Sequence, residues 1–176
     1  LHARGFLLGG TAGRTTLNGE GLQHQDGNSM LIFSSVPACK SYEPSFAHEV
    51  AVIMHDGMKR MVEKQEDIFY YLAIHNENYA MPGLIPGTEE QILKGMYLCQ
   101  PGAEGGKRVQ LMGSGTILRE SIAAQQLLAT DWGVQADVWS CPSFNELARD
   151  GWDAERWNML HPGEAPRVPF VAQQLA

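Results

Sequence analysis

The sequence has no basic run. Its 13 lysines and arginines stand against 20 aspartates and glutamates, a formal net charge of -7, and they are scattered along the chain. A nucleic-acid surface needs a basic stripe or patch, so no nucleic-acid partner is expected. No apolar stretch approaches the roughly 18–20 residues that span a bilayer, and the start carries no signal-peptide pattern. A membrane partner is therefore not expected, and a cytoplasmic location is. The chain opens on Leu1 rather than Met, which fits a piece of a longer protein. Cysteine is scarce: Cys39, Cys99 and Cys141 are odd in number and widely spaced, with no Cys-x-x-Cys pair. They suit neither a disulfide framework nor a zinc site, and reduced, buried thiols are expected. What is present is an ordinary globular composition, 44% hydrophobic and 19% charged, in a chain of 176 residues. That length can bury one substantial core or two small ones.

The least core-like stretch is Gly13 to Ser29, GRTTLNGEGLQHQDGNS, with four glycines and only Leu17 and Leu22 as large apolar residues. Apolar segments bracket it, Phe6-Leu7-Leu8 before and Leu31-Ile32-Phe33 after. A long polar loop pinned at both ends of a compact domain is a candidate binding or active-site loop. Its glycines let a ligand approach the main chain closely. Glu20 and His24 stand four apart and share a face if the segment is locally helical. A carboxylate beside an imidazole fixes its tautomer and suits proton transfer near neutral pH. The competing reading, a surface salt bridge, stays open on these residues alone.

Along the rest of the chain, residues 4–10 are too few for periodicity to decide between helix and strand. Cys39 to Tyr42 reads as a brief strand closed by Glu43-Pro44. Ser45 is the expected N-cap of a helix over Ala47–Val62. Ala47, Val50, Ala51, Met54, Met58 and Met61 form its apolar stripe, with Glu49 and other charged residues mostly elsewhere. His48 and His55 fall off the stripe and are expected to be exposed. Ile68–Ile74 reads as a buried strand, completing a βαβ unit. Prolines and glycines between residues 82 and 106 mark a boundary, with a short helix or extended connector near Thr88 to Tyr97. Beyond it, strands are expected at Arg108–Met112 and Val134–Trp139, with a helix over Thr116–Ala129 between them and a short helix at Phe144–Arg149. The Gly113-x-Gly115 turn is half of a dinucleotide fingerprint, but the third glycine position holds Leu118. Nucleotide binding there is a remote reading. The expected fold class is α/β, two βαβ-type units with mainly parallel sheets joined by an irregular connector.

The loop, together with SYEPSFAHEVAVIMHDG, NENYAMP, SFNELARDG and ERWNMLHP, resembles the homodimeric bacterial decarboxylating (first) component of the pyruvate dehydrogenase complex. That family belongs to the transketolase superfamily, and the resemblance runs collinearly along essentially the whole chain. It implies that residues 1–82 form the later part of a thiamine pyrimidine-binding domain. Residues 83–106 would then be a connector, and residues 107–176 the first part of a transketolase-like C-terminal domain. The family's cofactors are thiamine diphosphate and magnesium. Its Gly-Asp-Gly…Asn diphosphate motif is absent here, and the glutamate that activates the cofactor would lie before Leu1. No cofactor-binding residue, no metal ligand and no cofactor bound to this chain alone are therefore expected. The partners implied are a second subunit of a homodimer, the dihydrolipoyl acetyltransferase core with its lipoyl domain, and a small 2-oxo acid.

Residue by residue, the resemblance carries two catalytic positions onto this chain, Glu20 and His24. They match a glutamate and a histidine lining the substrate channel, the histidine hydrogen-bonding the 2-oxo acid and assisting proton transfer, the glutamate orienting it. The family commonly reads His-Glu-Asp-Gly-His-Ser-His, whereas this chain has His24-Gln25-Asp26-Gly27-Asn28-Ser29-Met30. Gln25, Asn28 and Met30 remove one carboxylate and two imidazoles, so 2-oxobutyrate or another short 2-oxo acid is an alternative substrate. A non-catalytic structural or dimer-forming fragment is the alternative from a different class. The isolated fragment is expected to be inactive.

Overall fold

A computed structural model describes residues 3–10, 28–75 and 77–176. Strands β1 (Phe6–Gly9), β2 (Cys39–Tyr42) and β3 (Phe69–Ala73) form one sheet in the order β1-β3-β2, both pairings parallel. Helix α1 (Ser29–Ser34) leads into β2, and helix α2 (Ala47–Met58), prolonged by a π-helical turn at Lys59–Glu63, joins β2 to β3. Helix α3 (Glu89–Lys94) precedes the second sheet, β4 (Tyr97–Gln100), β5 (Lys107–Gly113) and β6 (Val134–Ser140), ordered β4-β6-β5. There β5 runs parallel to β6 and β4 antiparallel to it. Helices α4 (Ile117–Trp132), α5 (Phe144–Leu160) and α6 (Phe170–Leu175) complete the chain. The expected α/β class with mostly parallel strands is what forms. Ile68–Ile74, Arg108–Met112 and Val134–Trp139 are strands to within a residue or two.

Several expectations are corrected. Of the expected apolar stripe Met61 is buried and Met54 packs against the core, while Met58 is half exposed; the buried side of α2 runs instead through Glu49, Ile53 and Gly57 to Met61, one residue every four. A carboxylate and a glycine disguise this face: Glu49 has polar partners inside, and Gly57 admits the Phe6 ring, whose Cζ would lie 2.8 Å from an added Cβ. Ser45 is not the cap. Phe46 holds that position, and Glu49 reaches back to accept from the Ser45 and Phe46 N–H groups at 2.5 and 3.2 Å, a use of the third helical position that satisfies orphan donors. His48 is not exposed; its ring lies between the Pro82 carbonyl (3.0 Å) and the Tyr97 hydroxyl (3.1 Å). Helix α3 is the short helix expected near Thr88 to Tyr97, but β4 adds an unexpected strand to the 83–106 stretch, and α5 runs 17 residues rather than stopping at Arg149.

The two sheets interlock. Ile92 from α3 and Tyr97 from β4 pack with Tyr42, Ile53, Tyr70 and Leu72 of the first half, while Phe46 packs with Leu118 and Val138 of the second. Glu49, 0% exposed, joins them by polar contacts too. Its Oε1 accepts from the Tyr97 hydroxyl at 2.7 Å and from the Ser140 hydroxyl at 2.6 Å. Burial, and then this carboxylate, push the Tyr97 phenol well above its ordinary value, so it stays a proton donor.

Gly95 ends α3 in the left-handed region at φ +108, its N–H donating to Gln91 and Ile92 carbonyls. An added Cβ would collide with the Ser143 carbonyl oxygen and come within 3.1 Å of Leu147 Cγ. Gly95→Ala is expected to cost about 1–3 kcal/mol for the backbone strain alone, read as a lowered urea midpoint. An unchanged midpoint would mean that the helix end can be rebuilt without this contact.

Candidate functional site

In parallel α/β sheets, ligands approach the carboxyl ends of the strands, where successive loops converge. Here β1 ends at Gly9, β2 at Tyr42 and β3 at Ala73. From β1 the chain passes into the polar loop; Glu20 and His24 lie outside the described residues. The chain re-enters at Asn28, and α1 settles on the sheet, Phe33 against Tyr71 with ring centroids 4.5 Å apart and against Phe69 at 6.3 Å. Gly9 is packed so closely under Tyr71 that an added Cβ would lie 2.6 Å from its Oη.

The end of β2 meets the second half through two turns of like sequence. Glu43-Pro44-Ser45-Phe46 leads from β2 into α2, and Cys141-Pro142-Ser143-Phe144 leads from β6 into α5. The Glu43 N–H donates to the Pro142 carbonyl at 2.6 Å, and the Ser143 hydroxyl donates to the Ser41 carbonyl at 2.7 Å. Ser143 also caps α5, accepting from the Glu146 N–H at 3.1 Å. Between the turns lies a cavity of about 160 Å³ lined by Met30, Ser41, Glu43, Ser114, Cys141 and Asn145 among others. His75, just past β3, closes in beside it: an added Cβ on Gly115 would lie 2.7 Å from its Nε2 and 3.0 Å from Glu43 Cγ.

The Gly113-Ser114-Gly115 turn is fully committed to this seam. Ser114 Oγ donates to Glu43 Oε2 at 2.8 Å and the Gly115 N–H donates to the Glu43 carbonyl at 3.1 Å. The Glu43 carboxylate thus takes the Ser114 hydroxyl and its main-chain carbonyl takes the Gly115 N–H, two donors a phosphate would need, and the nearby carboxylate argues against the nucleotide reading on electrostatic grounds. All three cysteines are free, as expected; Cys39 and Cys141 are buried, while Cys99 is only partly so. Burial pushes Cys39 up to about 11, against the opposing Arg149, and Cys141 up to about 12; neither is a thiolate nucleophile near neutral pH. Among the described residues no group of three or more His, Cys, Asp or Glu is arranged to hold a metal, and no helix is long and apolar enough to cross a membrane.

Sequence reasoning singled out the loop but missed Ser41, Glu43, His75 and Asn145. A usable signal existed for two of them: Glu43 and His75 stand at or just past the carboxyl ends of segments readable as strands. Asn145 gave no local signal, because its contacts lie more than 100 residues away.

Residues 1–82 match the family described as pyruvate dehydrogenase E1 component middle domain, and residues 95–174 the transketolase-like C-terminal domain. Proteins named pyruvate dehydrogenase E1 component are 60% identical over 174 residues in Escherichia coli and 58% identical over 177 in Cupriavidus necator. The one from Pseudomonas aeruginosa is 57% identical over 175 residues. These alignments cover 98–99% of this chain and 20% of each relative, so the chain spans about one fifth of their length. Among solved structures, a transketolase variant from Pichia stipitis superposes with a TM-score of 0.60 at 17% identity, covering 87% of this chain and 20% of that one. A transketolase complex with sedoheptulose-7-phosphate from the same organism gives 0.58 at 17% identity, covering 81% and 19%. These two likenesses speak to the fold. Residues 1–82 thus belong with the pyruvate dehydrogenase E1 component middle domain and residues 95–174 with the transketolase-like C-terminal domain, and nearly the whole chain is similar to one stretch of proteins named pyruvate dehydrogenase E1 component.

Proposed function

We propose that this chain is a catalytic portion of a thiamine-diphosphate-dependent component that decarboxylates pyruvate and acetylates the lipoyl group of a dihydrolipoyl acetyltransferase. The observation that carries the reading is 57–60% identity to proteins of that name over nearly every residue of the chain. It is supported by the place of the glycine-rich polar stretch in the sequence, shortly after the carboxyl end of β1 in a parallel sheet, the side where substrates are met. In this reading residues 1–82 belong to the pyrimidine-binding domain and residues 107–176 to the C-terminal one, with α3 and β4 as the joint. A second subunit of a homodimer and the lipoyl domain are the protein partners, in the cytoplasm.

His24 holds and passes a proton at the oxygen of the 2-oxo group, and Glu20 sets its tautomer and orientation. Thiamine diphosphate, when bound in the parent, supplies the carbanion-stabilising chemistry. The residues described here do not fit its anchor: there is no metal-ligand cluster among them, and the sequence has no Gly-Asp-Gly…Asn motif. Cofactor and magnesium are therefore assigned to other parts of the parent and not to this chain alone.

The test is a substrate profile of the full-length parent with a lipoyl-domain acceptor, thiamine diphosphate and magnesium. Pyruvate is expected to give the highest kcat/KM, with 2-oxobutyrate slower. A preference for 2-oxobutyrate would transfer the assignment to that acid and trace it to Gln25, Asn28 and Met30. No turnover with any short 2-oxo acid would leave only a structural role.

A further inference from the structure

The first described element after Glu20 and His24 is α1, which packs on the first sheet through Phe33 and is also tied to the other half of the chain. Asn145, in the first turn of α5, donates through Nδ2 to the Met30 carbonyl at 2.8 Å and to the Ser41 hydroxyl at 2.6 Å. One turn on, Arg149 spreads its guanidinium over three carbonyls at the end of α1 and the start of β2: Phe33 at 3.3 Å, Val36 at 3.0 Å and Cys39 at 2.6 Å. A cation at a helix C-terminus meets the negative end of the dipole and carbonyls the helix cannot bond itself. Arg149 is itself fixed. Its Nη1 lies 2.7 Å from Glu146 Oε1, while Glu146 Oε2 takes Lys40 of β2 at 2.7 Å, all three side chains being under 20% exposed.

We infer that Asn145 and Arg149 are positioning residues: α5 of the second half clamps α1, the first described element after Glu20 and His24, so that turnover depends on two side chains that act through α1. This rests on the functional reading above. The arrangement is more than generic interface packing, because every carbonyl named belongs to the ten-residue span 30–39 directly after Gly13–Ser29. A planar fork is required for three divergent acceptors, which a lysine cannot reproduce.

The experiment uses the full-length parent with Asn145→Ala, Arg149→Lys and the two combined. Asp137→Asn is the control: it loosens the contacts that the β6 side chain Asp137 accepts from Gly102, Arg108 and Gln110, away from α1 and α5. Hydrogen exchange is followed for peptides over residues 28–39, together with kcat, KM for the 2-oxo acid, and the half-saturating thiamine diphosphate concentration. The combined variant is expected to exchange faster over 28–39 and to lose roughly tenfold to a hundredfold in kcat, as small misplacements of catalytic groups do. The cofactor requirement should stay unmoved, with Arg149→Lys intermediate. Unchanged exchange over 28–39, or a kcat no lower than that of Asp137→Asn, overturns the clamp. If the combined variant does not fold, the same criteria apply to the single substitutions. A slow clamp variant beside a fully active His24→Ala keeps the clamp and removes the Glu20–His24 assignment; the reverse pattern removes the clamp and keeps the assignment.

Discussion

His24→Ala in the full-length parent is expected to leave folding and thiamine diphosphate affinity intact and to lower turnover with the 2-oxo acid and lipoyl acceptor by about 10²–10⁴-fold. That is the usual contribution of one positioned acid–base group. The cofactor's anchors are assigned outside this chain, so a defect confined to kcat separates a substrate-facing histidine from a cofactor-facing one. Glu20→Gln should act in the same direction, and the double variant should fall short of the product of the two. Two groups that work as one unit lose most of their effect with the first removal. Steady-state kinetics on the three proteins, with the cofactor titrated separately, reads all of this. Wild-type turnover in His24→Ala would reduce the pair to a surface salt bridge.

Much of the architecture was legible because local chemistry agreed with the final packing. Ile68–Ile74 is dense in aromatic and branched residues and becomes the central strand of the first sheet. The helix over Ile117–Trp132 is bracketed by glycines that its geometry needs, Gly113 packing under Leu118 and Gly133 ending it at φ +62. Strand β4 was hidden for the opposite reason. Four residues after a glycine look like connector until they pair with β6 some forty positions on, and such pairing is decided by tertiary context. Helix α5 was cut short because Asp150-Gly151 reads as a turn and only Leu147 and Ala154 of its 17 residues are buried.

The candidate site divides the same way. A glycine-rich polar loop advertises itself, and so does a Glu-x-x-x-His pair. Ser114 and Asn145 do not, since each is an ordinary polar residue until two distant turns bring them to one cavity. The most misleading residue was Glu49. An acid in the first turn of a helix suggests favourable placement at the dipole's positive end and an exposed side chain. Here the same residue points inward and ties the halves together.

Glu49→Ala is accordingly expected to be the most destabilising single substitution argued for in this chain, by about 3–5 kcal/mol, since several buried donors lose their acceptor at once. The carboxylate accepts four hydrogen bonds with no exposure to water: two from the Ser45 and Phe46 N–H groups, one from Tyr97 and one from Ser140. Alanine leaves all four donors without their acceptor, and unsatisfied buried groups cost more than the bond itself gave. Glu49→Gln keeps the volume, and its oxygen can still serve the two N–H groups while its amide donates to the two hydroxyls; about 1–3 kcal/mol is expected there. Ser45→Ala is the contrast. Its buried Oγ has no hydrogen-bond partner among the described residues, so its removal should cost little although it sits at the same helix end. Because Glu49 spans the seam, the loss should appear in both halves at once. Native-state hydrogen exchange on the full-length parent should show amides of α2 and of β6 losing protection together in Glu49→Ala. Loss confined to α2 would mean that Glu49 serves only as a helix cap and that the halves are held by their apolar contacts.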